Sequence, residues 1–409
     1  MNRIIKHILT LMWLVLGTGL MAQNMTSSPF SRFAYGDLNE NVPTGYRAMG
    51  GVGIGMRNNR AICPTQPASY TACDTLTFMM DIAASANWSR YHDAYGMRNK
   101  ANGNLEYLTI QIPLWKQWIA MSVGLLPYSS VGYSLALSDS TKGGGFHYTT
   151  EYEGTGNISQ VYGGLSFNIC NWFALGANFY YMWGDLSHMQ TLTFKEAMPN
   201  PTIQDEILSV SSVRLRFGAQ FFHTWGAHTL NLGAIYENKM KLNSDLILIE
   251  TQSLDSIPIY KDGWQLPMVY GVGGSYNWAN RLTVAFDYER QCMASALYNG
   301  RMGREQGLRD RSRYAFGVEY RHNPLGRKYV ERMLWRGGLS VQDEYLASIG
   351  ARKFTASIGI GFPLYTIGTV INTTIEYSHR GAPGSLQDNS LRFTIGASIA
   401  ENWFFKRKL

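Results

Sequence analysis

The sequence predicts an all-β fold, a transmembrane antiparallel β-barrel of about 14 strands. Three observations predict it. Apolar residues recur at every second position from about residue 76 to the end of the chain. Short and long polar connections alternate between these stretches, and aromatic residues are frequent, with 11 Trp and 25 Tyr. Alternating faces, alternating connection lengths and aromatic girdles are typical of outer-membrane barrels.

The alternation is clearest from Thr77 to Trp88, where every second residue from Phe78 onward is apolar. Side chains of a strand point alternately to the two faces of a sheet, so these residues share one face. The pattern recurs at 213–221, 282–288 and 354–362. It predicts lipid contact for a set of apolar side chains: Phe78, Ile82, Leu215, Phe217, Val284, Phe286, Ile358 and Ile395.

The N-terminus predicts export. Residues 1–22 combine the basic Arg3 and Lys6 with a short apolar core, 8–16, and a cleavage point after Ala22. This is the pattern of a secretory signal peptide, and the core is shorter than the ~20 residues of a membrane-spanning helix. Together with the strand pattern, it predicts the outer membrane of a diderm bacterium and contact with outer-membrane lipid.

The chain divides into three predicted regions: the signal peptide 1–22, a Gly-, Asn- and Pro-rich segment 23–74, and the barrel 75–409. Short turns, which barrels place in the periplasm, alternate with longer segments such as 92–103, 190–207 and 295–311; the connection 322–332 is an exception, long on the short-turn side. The predicted strands are 75–91, 104–115, 118–138, 146–169, 172–189, 208–222, 228–249, 263–277, 281–294, 312–321, 333–342, 353–363, 368–379 and 390–403.

Charge and cysteine content point to no cofactor. The formal charge of +7 is scattered, with no basic cluster that would predict nucleic-acid binding. Of the four cysteines, Cys63 and Cys73 are close enough in sequence to pair in the oxidising export route, and two free thiols are the equal alternative. No metal-ligand spacing of Cys and His is present, and no Gly-x-Ser-x-Gly motif indicates a hydrolase. The sequence therefore predicts no enzyme, no metal and no cofactor.

Several motifs in order resemble the FadL/TodX-type outer-membrane transport family, in particular a divergent branch that ends in Trp-Phe-x-Lys-Arg-Lys. The matches are Tyr46-Arg-Ala-Met-Gly-Gly-Val-Gly-Ile-Gly55, Pro64-Thr-Gln-Pro-Ala-Ser-Tyr70, Asp74-Thr-Leu-Thr-Phe78, Tyr152-Glu-Gly-Thr-Gly156, Leu266-Pro267, Phe286-Asp287-Tyr288, Tyr329-Val-Glu-Arg332 and Trp403-Phe-Phe-Lys-Arg-Lys408. They extend over nearly all of the mature chain. Gln66 stands where the family has Asn.

The resemblance implies that residues 23–74 form a hatch inside a 14-stranded barrel. It also implies a kink in the third strand that lets ligand leave sideways into the membrane. Pro127 lies in the predicted third strand, where a proline favours an edge or a bulge. The exit candidates are Leu125, Leu126, Pro127 and Tyr128, and an ordinary bulge is the alternative. Gln66, Arg57 and Arg60 depart from a fatty-acid-specific hatch.

Alternation places a set of charged residues inside the lumen: Arg214, Arg216, Asp287, Glu289, Glu319, Arg321, Arg336, Glu376 and Arg392. An unpaired charge in a dry lumen is costly, so these residues should have partners. A salt-bridged wall that holds the hatch is the favoured interpretation, and a polar constriction for a substrate is the alternative.

The sequence is compatible with two candidate functions. The first is passive uptake of hydrophobic small molecules, fatty-acid-like or aromatic, with lateral exit into the membrane. The alternative is a non-transporting accessory subunit of an outer-membrane protein assembly or secretion complex, with another outer-membrane protein as partner. A transporter should keep an apolar pocket that reaches a lateral gap, whereas an accessory subunit should have a filled lumen.

Overall fold

Fourteen strands form the wall in a computed structural model that describes residues 26, 28–93, 96–140, 147–194, 201–250, 256–347, 350–364, 368–381 and 386–402. The predicted signal peptide and the Trp403–Lys408 motif lie outside these residues. The strands are β1 Thr77–Asp93, β2 Gly96–Trp115, β3 Ile119–Ser140, β4 His147–Cys170, β5 Phe173–Phe194, β6 Thr202–Trp225, β7 His228–Glu237 with Met240–Leu242 and Ser244–Glu250, β8 Ser256–Lys261 with Trp264–Leu266 and Val269–Trp278, β9 Leu282–Gln291, β10 Arg311–Tyr320, β11 Leu334–Asp343, β12 Arg352–Pro363, β13 Val370–Gly381 and β14 Gln387–Asn402.

The strands close into an antiparallel barrel. Each pairs with its neighbour in sequence, and β14 pairs with β1 from Thr77–Asn402 to His92–Gln387. Closure leaves no open edge around most of the sheet, and this satisfies the backbone groups in a bilayer. The predicted fold class of 14 antiparallel strands is confirmed. Within the described residues, no helix is long and apolar enough to cross a membrane.

Strands β7 and β8 are interrupted. Each has three segments, and the segments pair across the two strands, with Trp264–Leu266 opposite Met240–Leu242. Leu242 and Leu266 are buried. The single spans predicted for these two strands, 228–249 and 263–277, were therefore wrong about continuity, because an alternating pattern does not reveal a local departure from the ladder.

The two faces of the wall follow the predicted alternation. Phe286 is 50% exposed on the outer face, whereas the next residue, Asp287, is 2% exposed and faces inward. The other side chains predicted to face lipid lie on the same outer face: Phe78, Ile82, Leu215, Phe217, Val284, Ile358 and Ile395. This register is decisive, because a slip by one residue would turn every side chain to the other face.

The predicted loop 92–103 is wrong. Strands β1 and β2 extend to Asp93 and from Gly96, pairing as one long hairpin. Both faces of the beginning of β2, residues 96–101, are exposed, so polar residues such as Asn99 and Lys100 occupy them, whereas Tyr91 at the end of β1 stays buried on the inner face. A strand that projects into water carries polar side chains on both sides, and its composition is therefore that of a loop.

Residues 28–76, which we call the N-terminal segment, contact the inward-facing side chains of the wall. The segment contains two 3₁₀ turns, Pro29–Arg32 and Pro67–Ala72, a two-residue strand, Asp37–Leu38, and a short helix α1, Thr44–Arg47. Most of its residues between 42 and 73 are buried. Since its neighbours on opposite sides are inward-facing residues of different strands, the segment lies within the ring of strands.

The end of the barrel opposite the short turns is covered by apolar packing. Tyr35 of the N-terminal segment packs edge-on against Trp264, with ring centroids 5.3 Å apart. The connection between β9 and β10 joins this cluster through Met293, Tyr298 and Leu308. That connection contains two 3₁₀ turns, Met293–Ser295 and Gly303–Gln306, and two short strands, Leu297–Tyr298 and Arg301–Met302.

Candidate functional site

Several glycines of the wall lie against the N-terminal segment, where an added Cβ would overlap it. A Cβ at Gly338 would overlap the backbone of Met49 and Gly50, and a Cβ at Gly218 would overlap Gln66 and Pro67. We call nine such inward-facing wall glycines, one from each of nine strands, the glycine belt: Gly164, Gly176, Gly218, Gly233, Gly273, Gly317, Gly338, Gly359 and Gly396. Nine strands contribute one residue each, so the segment touches the wall around most of its circumference.

Strand β9 contributes an acidic residue, Asp287, to the contact between the wall and the N-terminal segment. The Asp287 carboxylate accepts hydrogen bonds from the backbone N–H groups of Gly53 (2.6 Å), Ile54 (2.7 Å) and Gly55 (3.2 Å). Hydrogen bonds to a charged group contribute about 1.5–3 kcal/mol each. The Gly-rich stretch from Gly51 to Gly55 is therefore anchored to the wall by one carboxylate.

Gln66, the residue that departs from the FadL-type pattern, is fully buried. Its Nε2 lies 3.1 Å from the Ile54 carbonyl and 3.3 Å from the carbonyls of Ala219 and Ala234. The side chain thus joins two parts of the N-terminal segment to strands β6 and β7.

The predicted lumen charges divide into separate groups. In the first, Arg214 and Arg216 of β6 share the buried Glu237 carboxylate of β7, with the Arg214 Nη1 at 3.0 Å from Oε2. Arg214 also donates to Gln160 Oε1 (2.9 Å), and Arg216 donates to the Thr65 carbonyl (3.3 Å). This group ties β6 and β7 to the N-terminal segment.

In the second group, Arg47 of α1 lies between two carboxylates, Glu106 of β2 (2.9 Å) and Glu376 of β13 (3.5 Å). Arg392 of β14 is 3.9 Å from the other oxygen of Glu106. The predicted Glu376 and Arg392 are therefore bridged through residues on other elements.

The third group lies toward the short-turn end. Arg336 Nε donates to Glu319 Oε2 (2.7 Å), and Arg321 Nη2 donates to the Asn280 carbonyl (3.1 Å). Glu289 accepts a hydrogen bond from Gln291 Nε2 (2.9 Å).

Sequence reasoning missed several partners of these groups: Glu40, Arg47, Glu106, Glu237 and Arg313. Alternation along β7 places Glu237 on the inner face, so that residue could have been found. Glu106 could not, because a bulge in the β1–β2 pairing buries both Glu106 and Tyr107 and breaks the alternation there.

The wall is interrupted between β2 and β3. These strands pair only from Leu108–Leu125 to Trp115–Ile119, although β3 continues to Ser140. Beyond Leu125, the two-residue strand Asp37–Leu38 pairs with Ser129 and Ser130. We call this place the wall break.

The four exit candidates lie beside the wall break. Leu125 is exposed on the outer face, and Leu126 is buried in an apolar cluster. Pro127 lies at a register shift in the β3–β4 pairing, and Tyr128 faces the interior with its ring 5.4 Å from the Arg214 guanidinium.

Two polar chambers of about 80 Å³ each flank residues 37–40 inside the wall. The first is lined by Tyr128 and by the charged residues Glu40, Arg214, Arg216, Glu237, Glu289, Arg311 and Arg313. The second lies next to the wall break, where Asn102, Asn104 and Ser130 join Arg47, Lys353, Glu376, Arg380, Asp388 and Arg392. Each has room for several water molecules. The interior at the wall break is thus polar.

Cys63 and Cys73 are free thiols in the structure. The Cys63 Sγ lies 3.7 Å from the Gly53 carbonyl, and burial raises the pKa of this thiol to about 12, so it remains protonated. Within the described residues, no group of three or more His, Cys, Asp or Glu side chains could hold a metal ion.

Comparison with known proteins gives one family. The model of a family described as BamG matches residues 4–409. No curated protein sequence matches the chain.

Solved structures share the fold at low sequence identity. The Pseudomonas putida toluene transporter TodX aligns with a TM-score of 0.59 and 15% identity, covering 90% of this chain and 100% of that chain. The Ralstonia pickettii toluene transporter TbuX gives 0.58 and 15%, covering 88% and 98%. A Pseudomonas aeruginosa FadL homologue gives 0.56 and 12%, covering 90% and 100%. The FadL-type architecture expected from the sequence motifs is confirmed as a fold.

Proposed function

The chain belongs to the BamG family, and we propose that it is a non-transporting subunit of an outer-membrane protein assembly or secretion complex, with a lumen that stays closed. The glycine belt is the observation that carries this proposal. At five of these glycines (Gly176, Gly233, Gly273, Gly317 and Gly338) the backbone of the N-terminal segment approaches the wall, and at the other four its side chains do. In this proposal the segment is a permanent hatch and the short turns face the periplasm.

The energetics of the segment support a closed lumen. The three hydrogen bonds to Asp287 alone represent about 4.5–9 kcal/mol, and they are one contact of many around the belt. Displacement would also separate the Asp287 carboxylate from its backbone N–H partners and the Arg47 guanidinium from the wall residues Glu106 and Glu376. An opening of this cost is too rarely populated to serve as a route for passive diffusion.

The interior at the wall break also argues against passage of an apolar molecule. A hydrophobic solute that moved toward β3 would have to displace water from chambers lined by Glu40, Arg216, Arg313 and other charged groups. Removing water from such groups without new hydrogen bonds is costly. This polar interior favours the filled lumen expected of an accessory subunit.

Uptake of hydrophobic small molecules is the second candidate, because the wall break is present beside Leu125, Leu126, Pro127 and Tyr128. In this alternative, a fatty-acid-like or aromatic molecule enters between the long loops and leaves sideways into the outer membrane. TodX and TbuX, which share the fold, are both described as toluene transporters.

A reversible lock distinguishes the two candidates. Leu38 and Ser129 are register partners, so the double variant Leu38→Cys/Ser129→Cys should form a disulfide between the N-terminal segment and β3. The pair Ala136→Cys/Glu151→Cys crosslinks β3 to β4 away from the wall break and is the matched control. Each variant is compared oxidised and reduced in the native host.

We expect the oxidised Leu38→Cys/Ser129→Cys variant to co-purify with other outer-membrane proteins from native membranes in mild detergent, as the wild type does. Uptake of a radiolabelled aromatic hydrocarbon should be the same with and without the protein. If uptake depends on the chain and stops only when this pair is oxidised, the transport candidate is correct. If the wild type co-purifies with no outer-membrane protein, the subunit proposal is wrong.

A further inference from the structure

The short-turn end of the barrel contains an open polar cavity of about 550 Å³, which we call the vestibule. Its floor is formed by residues 56–60 of the N-terminal segment together with Thr71 and Ala72. Its sides are inward-facing residues at the ends of β4 to β10, many of them amides and hydroxyls: Asn168, Asn171, Thr224, Thr229, Asn231, Ser275, Asn277, Asn280 and Thr283.

The vestibule carries more cations than anions. Arg57, Arg60 and Arg321 line it, and Glu319 is the acid of the lining. Glu319 is already bound by Arg336, at 2.7 Å, and Asp74 at the rim accepts a hydrogen bond from Asn59 (2.8 Å). The lining therefore keeps a surplus of positive charge.

Each of the three guanidinium groups lacks a carboxylate partner in the part of the chain that the structure describes. Arg57 donates to the Ala68 carbonyl (2.9 Å) and to Thr71 Oγ1 (3.0 Å), and it lies over the Phe222 ring. Arg321 donates to the Asn280 carbonyl, while its Nε is buried without an acceptor. Burial lowers the pKa of Arg57 to about 10, consistent with an uncompensated cation.

The long connection beside the vestibule, residues 321–333, which we call the basic loop, exposes apolar side chains. Asn323 N donates to the Glu331 carbonyl (2.9 Å), and the helix α2, Tyr329–Arg332, closes the loop. Leu325 is 93% exposed and Val330 is 62% exposed. Four basic residues against one acidic residue make the loop cationic.

From these observations we propose that the vestibule and the basic loop together bind an acidic polypeptide segment of a periplasmic protein. Carboxylates of that segment would pair with Arg60 and Arg321 in the vestibule, and an apolar residue beside them would cover Leu325 and Val330. The proposal rests on the proposed function, because that function places this end in the periplasm and requires a protein partner.

A polypeptide fits this site better than a lipid. The vestibule is lined by inward-facing residues and by the N-terminal segment, whereas lipid surrounds the outer face of the wall. A flexible chain can enter along the barrel axis and reach the floor at Arg60. Complementary charge also accelerates association and makes it dependent on salt.

The test uses the full chain in nanodiscs of neutral phospholipid and a short fluorescent peptide rich in Asp and Glu with a central Leu. Binding is measured by anisotropy at low and at physiological ionic strength. We expect binding that weakens with salt, and a loss of about tenfold or more in the variant Arg60→Glu/Arg321→Glu. Leu325→Ser should weaken binding less, because it leaves the charges in place.

Arg98→Glu/Lys100→Glu is the matched control, because it also replaces two positive charges by two negative ones, at exposed positions at the opposite end of the barrel, on β2. If Arg60→Glu/Arg321→Glu fails to fold, Arg60→Gln and Leu325→Ser are measured separately. Equal binding by the wild type and the vestibule variants would overturn the proposal. So would binding to vesicles that contain anionic phospholipid with none to the peptide.

The same variants separate this proposal from the proposed function. If the wild type co-purifies with outer-membrane proteins, and Arg60→Glu/Arg321→Glu retains both these and every periplasmic component, the vestibule proposal is wrong and the subunit function stands. If the wild type itself co-purifies with none, the subunit function fails first. Loss of a periplasmic component in the vestibule variant, together with weaker peptide binding, supports both.

Discussion

The N-terminal segment meets the wall in two different ways. At five glycines of the belt its backbone lies directly on the wall, as at Gly338, where no side chain separates the wall from Met49 or Gly50. At the wall break, it contributes a two-residue strand, Asp37–Leu38, to the edge of β3. The first contact depends on the absence of a Cβ, and the second depends on hydrogen bonds that a neighbouring strand would otherwise make.

This difference separates a fixed region from a replaceable one. Overlap with backbone cannot be relieved by a small rotation, so the belt fixes the position of the segment. A two-residue ladder is marginal by itself. It is supported by side chains such as Asp37, whose carboxylate lies 2.8 Å from Arg380 Nη1. Substitutions at the belt should therefore have larger effects than substitutions at the wall break.

The largest effect is expected for Gly338→Val. Its side chain would occupy the place of Met49 and Gly50, and we expect a loss of about 3 kcal/mol or more in the free energy of unfolding. The folded fraction can be measured from heat-modifiable gel mobility in urea. The neighbour Gly337 faces outward with its nearest atom at 3.9 Å, so Gly337→Val should unfold like the wild type. Equal stability of the two variants would contradict the conclusion that the glycine belt fixes the position of the N-terminal segment.

A smaller loss in the free energy of unfolding, about 2 kcal/mol, is expected for Asp287→Asn, because hydrogen bonds to a charged group are lost. The amide keeps an acceptor but directs an NH₂ toward the N–H groups of Gly53 to Gly55. The comparison is with Asp343→Asn, which removes an ion pair to Arg352, whose side chain is 65% exposed. An exposed ion pair contributes little, so this variant should lose less than about 0.5 kcal/mol. Urea unfolding of both variants measures the two losses in stability. A smaller loss for Asp287→Asn than for Asp343→Asn would contradict the role of Asp287 as an anchor of the N-terminal segment.

At the wall break, Asp37→Asn should cost about 1 kcal/mol at neutral pH. Burial alone would raise the pKa of Asp37, but the Arg380 guanidinium lowers it below its ordinary value. The stabilisation is therefore present at neutral pH and is lost as the pH falls through the lowered pKa, below the ordinary value of about 3.9. Thermal melting of the wild type and of Asp37→Asn from neutral pH to below pH ~3.9 tests this expectation. A stability difference that persists in acid would contradict the ion pair between Asp37 and Arg380.

The smallest effect is expected for Tyr128→Phe. In the described residues the Tyr128 hydroxyl has no hydrogen-bond partner, and the ring stays in place in the variant. We expect a change below about 0.5 kcal/mol in stability and unchanged co-purification. A selective change in hydrocarbon uptake would instead show that the wall break is a route for substrate.

The barrel could be predicted because its physical cause is local. A strand between lipid and lumen must alternate apolar and polar residues. Phe286 therefore faces lipid, and the next residue, Asp287, faces the lumen. The inward direction of Arg214, Arg216 and Glu319 follows from the same rule. The partners of these residues could not be predicted from that rule, because pairing across the lumen joins positions as distant in sequence as Arg47 and Glu376.

By itself, the sequence determined the fold class, the face of nearly every strand residue, and a Gly-rich segment ahead of the barrel. Only the tertiary structure decided which glycines are required, where the wall is broken, and how the interior is filled. The reason is that alternation records contact with bulk lipid or water, a property of one residue. Close approach of two backbones, as at Gly50 and Gly338, or a missing neighbour beside Ser129, is a property of two distant segments and leaves no periodic pattern in the sequence.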